Sequence, residues 1–268
     1  MYFIPSYQHT CILSVKDFIV DVKEGHMSIF WGELVGRMLR ILLGNGSVAN
    51  VLLHKSKGHG GGWIVIATGW GFAVAIAVYV VGWISGGHLN PAITLGFCLA
   101  KKTAWDLFFV YVSGQMVGAI LGAALVWLAY FPHWQKTLDT HVKLLCFSTS
   151  PAIKRPFWNL TCEVIGTAVL LLGVLGIIDS HNNMTASISP YMIGILIFSI
   201  GVSLGGPTGY AINPARDLGP RIAFTLLPVK GKGSAQWGYA WIPVIGPLLG
   251  ALLGTAIYLC YVQPLAVL

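Results

Sequence analysis

Asn-Pro-Ala occurs twice in this chain, at residues 90–92 and 213–215. Each copy follows a run of small and glycine-rich residues, Ser85-Gly86-Gly87-His88-Leu89 in the first case and Gly206-Pro207-Thr208-Gly209-Tyr210-Ala211-Ile212 in the second. Asparagine is a favoured helix N-cap and proline is preformed for the first helical position, so each phrase reads as a helix start. The apolar run that follows is short, Ile93 to Ala100 in one copy and Leu218 to Leu227 in the other. Each helix is then roughly 15 Å long. A bilayer's hydrocarbon core is about 30 Å thick, so neither crosses it alone, whereas two meeting end to end would. Interrupted backbone at membrane depth survives only where protein buries it or where it lines water. The two phrases therefore predict a pair of re-entrant half-helices bordering a pore.

Composition supplies the membrane chain that this reading requires. Of 268 residues, 56% are hydrophobic and only 9% charged, whereas soluble domains are about a quarter charged. The length suits one bundle. The net charge of +7 comes from sixteen scattered Lys and Arg, with no basic cluster interleaved with aromatics, which argues against a nucleic-acid partner. The five cysteines, at positions 11, 98, 146, 162 and 260, form no CxxC pair and read as small apolar side chains. No Walker loop, catalytic carboxylate pair or nucleophile–base arrangement is visible, so neither an enzyme nor a cofactor or metal site is expected. Three glycosylation patterns, at Asn45, Asn159 and Asn183, are discounted because the pattern is short and common.

Residues 1–27 mix apolar and charged positions without a signal-peptide pattern and read as an N-terminal tail. Apolar spans follow at about Ser28–Leu43, Trp63–Ile84, Trp105–Phe131, Trp158–Ile178, Tyr191–Leu204 and Gly238–Val262. The half-helices lie after the second and the fifth. Two units result, residues 28–131 and 158–262, joined by an extracellular loop, and they carry matching marks. Glu33-x-x-Gly36 recurs as Glu163-x-x-Gly166, and Gly118-Ala119-x-x-Gly122 as Gly250-Ala251-x-x-Gly254. Small-xxx-small spacing lets helices approach closely in lipid. With three full spans per unit the second enters from the opposite face, so the expected fold is all-α, six transmembrane helices plus two half-helices in an inverted 3+3 repeat. With both ends inside, four inner Lys stand against eight outer Lys and Arg, which runs against the positive-inside rule. Lys101-Lys102 and Lys230–Lys232 each follow a half-helix, where cations offset the negative end of its dipole.

On these motifs the chain, from about Ser28 to its end, resembles the major intrinsic protein family of aquaporins and glycerol facilitators, and within it the aquaglyceroporin branch. The second motif runs on as Asn213-Pro214-Ala215-Arg216-Asp217, with Asp217 where water-selective members usually carry a small residue. Arg221, Pro243-Val244 and Trp127 also fit that branch. The resemblance implies a selectivity filter of Trp70, Gly201, Tyr210 and Arg216. Water-selective relatives usually place a His where Gly201 stands, and many bacterial glycerol facilitators a Phe where Tyr210 stands. It further implies a passive conduit for glycerol and other small neutral solutes with some water, excluding ions and protons. A homotetramer in the plasma membrane with both termini inside is implied as well. A water-selective channel is the nearest alternative.

The residues suggest how such a conduit would work. If Asn90 and Asn213 cap their own half-helices through the side-chain oxygen, each amide NH2 is left as a donor to passing oxygens. Two N-termini meeting at mid-depth place partial positive charge there, against cations and protons. Arg216 offers a fork of donors to successive hydroxyls, and Trp70 and Tyr210 offer apolar faces to the carbon side. His88 is expected to be an uncharged liner of the inner vestibule that orients loop carbonyls. Glu33 and Glu163 fit proton carriers in principle. The resemblance instead implies acceptors for the loop N–H groups, with the carbonyls near Gly86–Leu89 and Gly206–Tyr210 forming a ladder along one wall.

Arg37 and Arg40 depart from the family, whose members carry Thr-like and apolar residues there. Two arginines inside a span add about 5 to 7 kcal/mol to its insertion cost. Glu33 lies four residues before Arg37 on the same helical face, which predicts an ion pair, with Arg40 at or near the conduit. A third reading follows from them: a non-conducting structural membrane protein whose pore the two arginines occlude.

Overall fold

A computed structural model describes residues 15–185 and 187–262, with side chains from residue 25 onward. Residues 1–14 of the expected N-terminal tail lie outside the described residues. The described chain is helical, in the order α1 Val15–Leu52, α2 Trp63–Ser85, α3 Pro91–Leu99, α4 Phe108–Ala129, α5 His133–Lys136, α6 Thr140–Leu145, α7 Pro156–Ile177, α8 Ser189–Leu204, α9 Pro214–Leu226 and α10 Ile242–Ile257. A short 3-10 turn, Trp105–Leu107, leads into α4, and a π-helical turn, Tyr258–Val262, continues α10.

Four of these stretches are long and apolar enough to cross a membrane: Trp63–Ser85, Trp105–Ala129, Pro156–Ile177 and Ile242–Val262. The remaining two spans differ from them for identifiable reasons. Helix α8 has 16 residues, about 24 Å of rise, and α1 carries Glu33, Arg37 and Arg40, all buried. Helix α1 also outruns the predicted Ser28–Leu43 at both ends. Gly44-Asn45-Gly46 reads as a stop, but Gly44 lies flat against the Trp70 ring and Asn45 Nδ2 donates to the Phe147 carbonyl at 2.9 Å. Tertiary partners thus carry the helix past its weak residues.

The two units of the inverted repeat pack alike. In the first, α1 lies against α4, and in the second α7 lies against α10. The glycines of α4 and α10 face the partner backbone so closely that a Cβ on Gly114 would stand 2.5 Å from the Phe30 carbonyl oxygen. One on Gly250 would stand 2.5 Å from that of Val164. In lipid, where hydrophobicity does not drive helices together, such approach is the main source of packing energy. Helices α2 and α8, one from each unit, join across the seam. The half-helices α3 and α9 fill the centre, each held by helices of both units.

The segment between the units is more than a connecting loop. Trp134, Leu144, Cys146 and Phe147 are fully buried, and Trp134 Nε1 donates to the Trp127 carbonyl at 2.9 Å. Helices α5 and α6 therefore form a plug packed into the bundle rather than an exposed linker. Lys232, past the end of α9, donates its Nζ to the carbonyls of Phe224, Thr225 and Leu227 at 2.7–2.8 Å. It satisfies the last orphan carbonyls of that helix, as its position predicted.

Candidate functional site

Both half-helices start as the sequence predicts. Asn90 and Asn213 are N-caps with extended backbone, φ −164° and −165°, and each has proline at the first helical position. Asn90 Oδ1 accepts from Ala92 N at 2.9 Å, and Asn213 Oδ1 from Arg216 N at 3.1 Å. The two amide nitrogens then cross over. Asn90 Nδ2 donates to the Ile212 carbonyl and Asn213 Nδ2 to the Leu89 carbonyl, both at 2.9 Å. Each NH2 keeps one further hydrogen.

The residues before each asparagine are held by a buried carboxylate. Glu33 accepts from His88 N at 3.0 Å and Leu89 N at 2.7 Å, while Glu163 accepts from Ala211 N at 3.0 Å and Ile212 N at 2.7 Å. Leu89 and Ile212 both sit at positive φ, 50° and 41°, which costs a non-glycine residue on the order of 1–3 kcal/mol. Charge-assisted bonds to otherwise orphaned buried N–H groups offset that strain. Glu33 also accepts from Ser85 Oγ and Gln115 Nε2, each at 2.7 Å, so its lone pairs are taken.

That saturation explains a correction. The expected ion pair between Glu33 and Arg37 is absent. Arg37 instead donates Nη1 to the Leu89 carbonyl at 2.6 Å and Nη2 to Asn213 Oδ1 at 3.0 Å, and Arg40 Nη1 reaches the same Leu89 carbonyl at 3.1 Å. The i,i+4 spacing puts the pair on one face, but the carboxylate takes the N–H groups of the first loop while the guanidinium takes that loop's Leu89 carbonyl and the Asn213 cap of the other unit.

Toward one end, Trp70, Tyr210 and Arg216 converge. The Arg216 guanidinium lies 4.2 Å from the Trp70 ring centroid and donates Nη1 to the Phe147 carbonyl at 3.0 Å. Gly201 is directly behind: a Cβ there would stand 2.9 Å from the Tyr210 hydroxyl oxygen, so tyrosine fills the space that a larger residue would need. The Tyr210 hydroxyl is buried with no hydrogen-bond partner. Trp63 Nε1 donates to the Gly201 carbonyl at 2.8 Å, fixing the α8 backbone at this level.

Asp217 points away from the passage. It pairs with Arg221 at 2.7 Å and accepts from Thr149 N and Oγ1 at 2.7 and 2.6 Å. Arg221 also donates to the Thr149 and Ala235 carbonyls at 2.8 and 2.5 Å. Together they brace the segment that presents the Phe147 carbonyl. His88 borders a cavity beside Asn90, stacked on Tyr111 at 4.0 Å, with Nδ1 3.2 Å from Thr94 Oγ1. Its ring thus bonds a hydroxyl of α3 rather than orienting loop carbonyls. Phe147, Thr149, Gln115 and Tyr111 were not singled out by the sequence reading. The aromatic and apolar content of residues 134–147 was the available signal for Phe147.

These groups line a succession of spaces. A cavity of about 240 Å³ opens on one side, bordered by Trp63, Trp70, Tyr210 and Arg216. A space of about 10 Å³, bordered by Trp70, Tyr210, Arg216 and Arg40, follows. A cavity of about 160 Å³, bordered by Arg40, His88, Asn90 and apolar residues of α2, α7 and α8, completes the path. The profile of the family described as "Major intrinsic protein" matches residues 23–258. The chain belongs to the major intrinsic protein family. Within that family it is 53% identical over 232 residues to the "Probable glycerol uptake facilitator protein" of Thermotoga maritima, covering 87% of this chain and 98% of that one. It is 52% identical to the "Glycerol uptake facilitator protein" of Bacillus subtilis, covering 87% and 84%. Among solved structures of the family, the aquaglyceroporin of Plasmodium falciparum superposes with a TM-score of 0.81 at 29% identity, covering 90% of this chain and 98% of that one. As a major intrinsic protein the chain is an integral membrane protein, and the inverted pair of half-helices is that family's architecture.

Proposed function

We propose that the protein is a passive channel for glycerol and similar small neutral solutes, with water as a lesser permeant and no chemical step. The observation that carries this reading is the crossed pair of caps, Asn90 to Ile212 and Asn213 to Leu89, with Asn90 bordering one solute-sized cavity and Ile212 the narrow space that leads to the other. Each asparagine keeps a hydrogen for a passing hydroxyl, and the abutting N-termini of α3 and α9 oppose cations and protons. Trp70, Gly201, Tyr210 and Arg216 act as the selective level: Arg216 addresses the oxygens, and the Trp70 and Tyr210 faces address the carbons. Glu33, Glu163 and Asp217 support the loops, and His88 lines the vestibule. The names of the relatives favour glycerol over a water-selective role, as do Gly201 and Asp217. We place the protein in the plasma membrane as a homotetramer with both ends inside.

Proteoliposome swelling in a glycerol gradient tests the proposal. Fast shrinkage followed by glycerol-driven recovery well above empty vesicles is expected, and shrinkage without recovery would sink it. The narrow space beside Arg40, about 10 Å³, favours a second reading, a conduit that the arginine closes at rest. That space holds about one water. Glycerol passage therefore requires side chains around that space, Arg40 among them, to shift, and recovery only in Arg40→Leu would favour the closed reading.

A further inference from the structure

The spanning helices and half-helices bury four guanidiniums, Arg37, Arg40, Arg216 and Arg221, against three carboxylates, Glu33, Glu163 and Asp217. Only Asp217 and Arg221 form an ion pair there among the described residues. Glu33 and Glu163 hold backbone N–H groups and form no hydrogen bond or ion pair with an arginine among the described residues. Even if each carboxylate balances one cation at a distance, one positive charge is left over. A buried charge without a counter-charge is unfavourable by several kcal/mol in general, so the surplus calls for an anion.

Arg40 is where it would go. It borders both the cavity beside His88 and Asn90, the inner cavity in the orientation proposed above, and the narrow space next to it, so it is the buried arginine reached from that side. Its Nη1 is engaged by the Leu89 carbonyl, which already accepts from Asn213 and Arg37. Its Nε is buried with no partner, and its Nη2 makes no hydrogen bond among the described residues. Nη2 is thus the unused donor, and a carboxylate meets such a donor with a charge-assisted bond. Arg37 beside it and Arg216 across the narrow space add positive potential, as do the N-termini of α3 and α9. No acidic side chain borders the inner cavity.

We propose that Arg40 makes the inner cavity a binding site for a small carboxylate monoanion of the size of formate to lactate, seated between Arg40 and the apolar walls of α7 and α8. The anion enters by the vestibule of the channel reading above and so rests on that reading for its route. Once seated, it blocks the passage of neutral solute.

Thermal melting of the detergent-purified full chain, in acetate against gluconate at equal ionic strength and neutral pH, tests the site without measuring flux. Acetamide serves as the uncharged isostere. Acetate is expected to raise the melting temperature saturably and acetamide to leave it unchanged. In Arg40→Leu the apparent affinity for acetate should fall about tenfold or more, and Arg40→Met replaces that variant if it does not fold. No rise with acetate over gluconate, an equal rise with acetamide, or an undiminished rise in the variant would each overturn the proposal. If proteoliposomes show no glycerol flux while the Arg40-dependent rise persists, the channel reading fails and the anion site stands.

Discussion

Glu163 and Ile212, 49 positions apart, meet at 2.7 Å, carboxylate oxygen to backbone N–H. The second oxygen of that carboxylate takes the neighbouring Ala211 N–H. Glutamine offers only one acceptor oxygen, so Glu163→Gln leaves one buried N–H without a partner, a loss of about 1–3 kcal/mol. Glu33 holds four donors, so Glu33→Gln should cost more. Thermal melting of the two purified variants checks both the loss and its order.

Gly250 on α10 allows the α7 backbone to approach, and an added methyl would stand 2.5 Å from the Val164 carbonyl oxygen. Gly250→Ala should lower stability by about 1–3 kcal/mol through overpacking. Gly238→Ala, where a Cβ meets nothing within 4 Å, should change it little. The comparison is read as the difference between two melting curves.

Tyr210→Phe removes a hydroxyl that bonds to nothing among the described residues, so the fold should keep its stability. If that hydroxyl addresses permeant oxygens, the ratio of glycerol to erythritol swelling rates should shift by about twofold to tenfold, the worth of one hydrogen bond. An unchanged ratio would remove Tyr210 from the selective level.

The turn after α7 gives a pH dependence. Asp179 accepts from the Tyr258 hydroxyl and from His181 N, and these bonds hold its carboxyl below the usual carboxylate range. A group whose folded pKa is depressed contributes stability above its unfolded pKa, about 3.9, and loses it as pH falls through the folded value. The wild type should therefore lose melting temperature more steeply than Asp179→Asn as pH is lowered from about 4 toward the depressed folded value. Parallel curves would show that the bonds carry no net stability.

The half-helices and their carboxylates were readable because both depend on local patterns. Asn90-Pro91 and Asn213-Pro214 mark helix starts by capping chemistry alone, and Glu33 and Glu163 stand out as charges at equivalent places in apolar spans. The partner of Arg37 was not readable. Helical spacing tells which side chains share a face, but not that Ser85, His88, Leu89 and Gln115 have already occupied the acid. The Phe147 carbonyl that holds Arg216 was hidden for a different reason: a backbone acceptor has no signature in sequence, and only the folding of residues 133–147 into the bundle brings it there.

The crossed caps also bear on how the protein is made. Asn90 leans on a carbonyl that the ribosome delivers 122 residues later, and Leu89 waits as long for the amide of Asn213. A nascent chain that has inserted only its first unit has helices in the membrane but no finished throat, and assembly of domains in order of synthesis makes that state a real stage. The throat is thus a joint between the two units, and neither unit alone holds both halves of it.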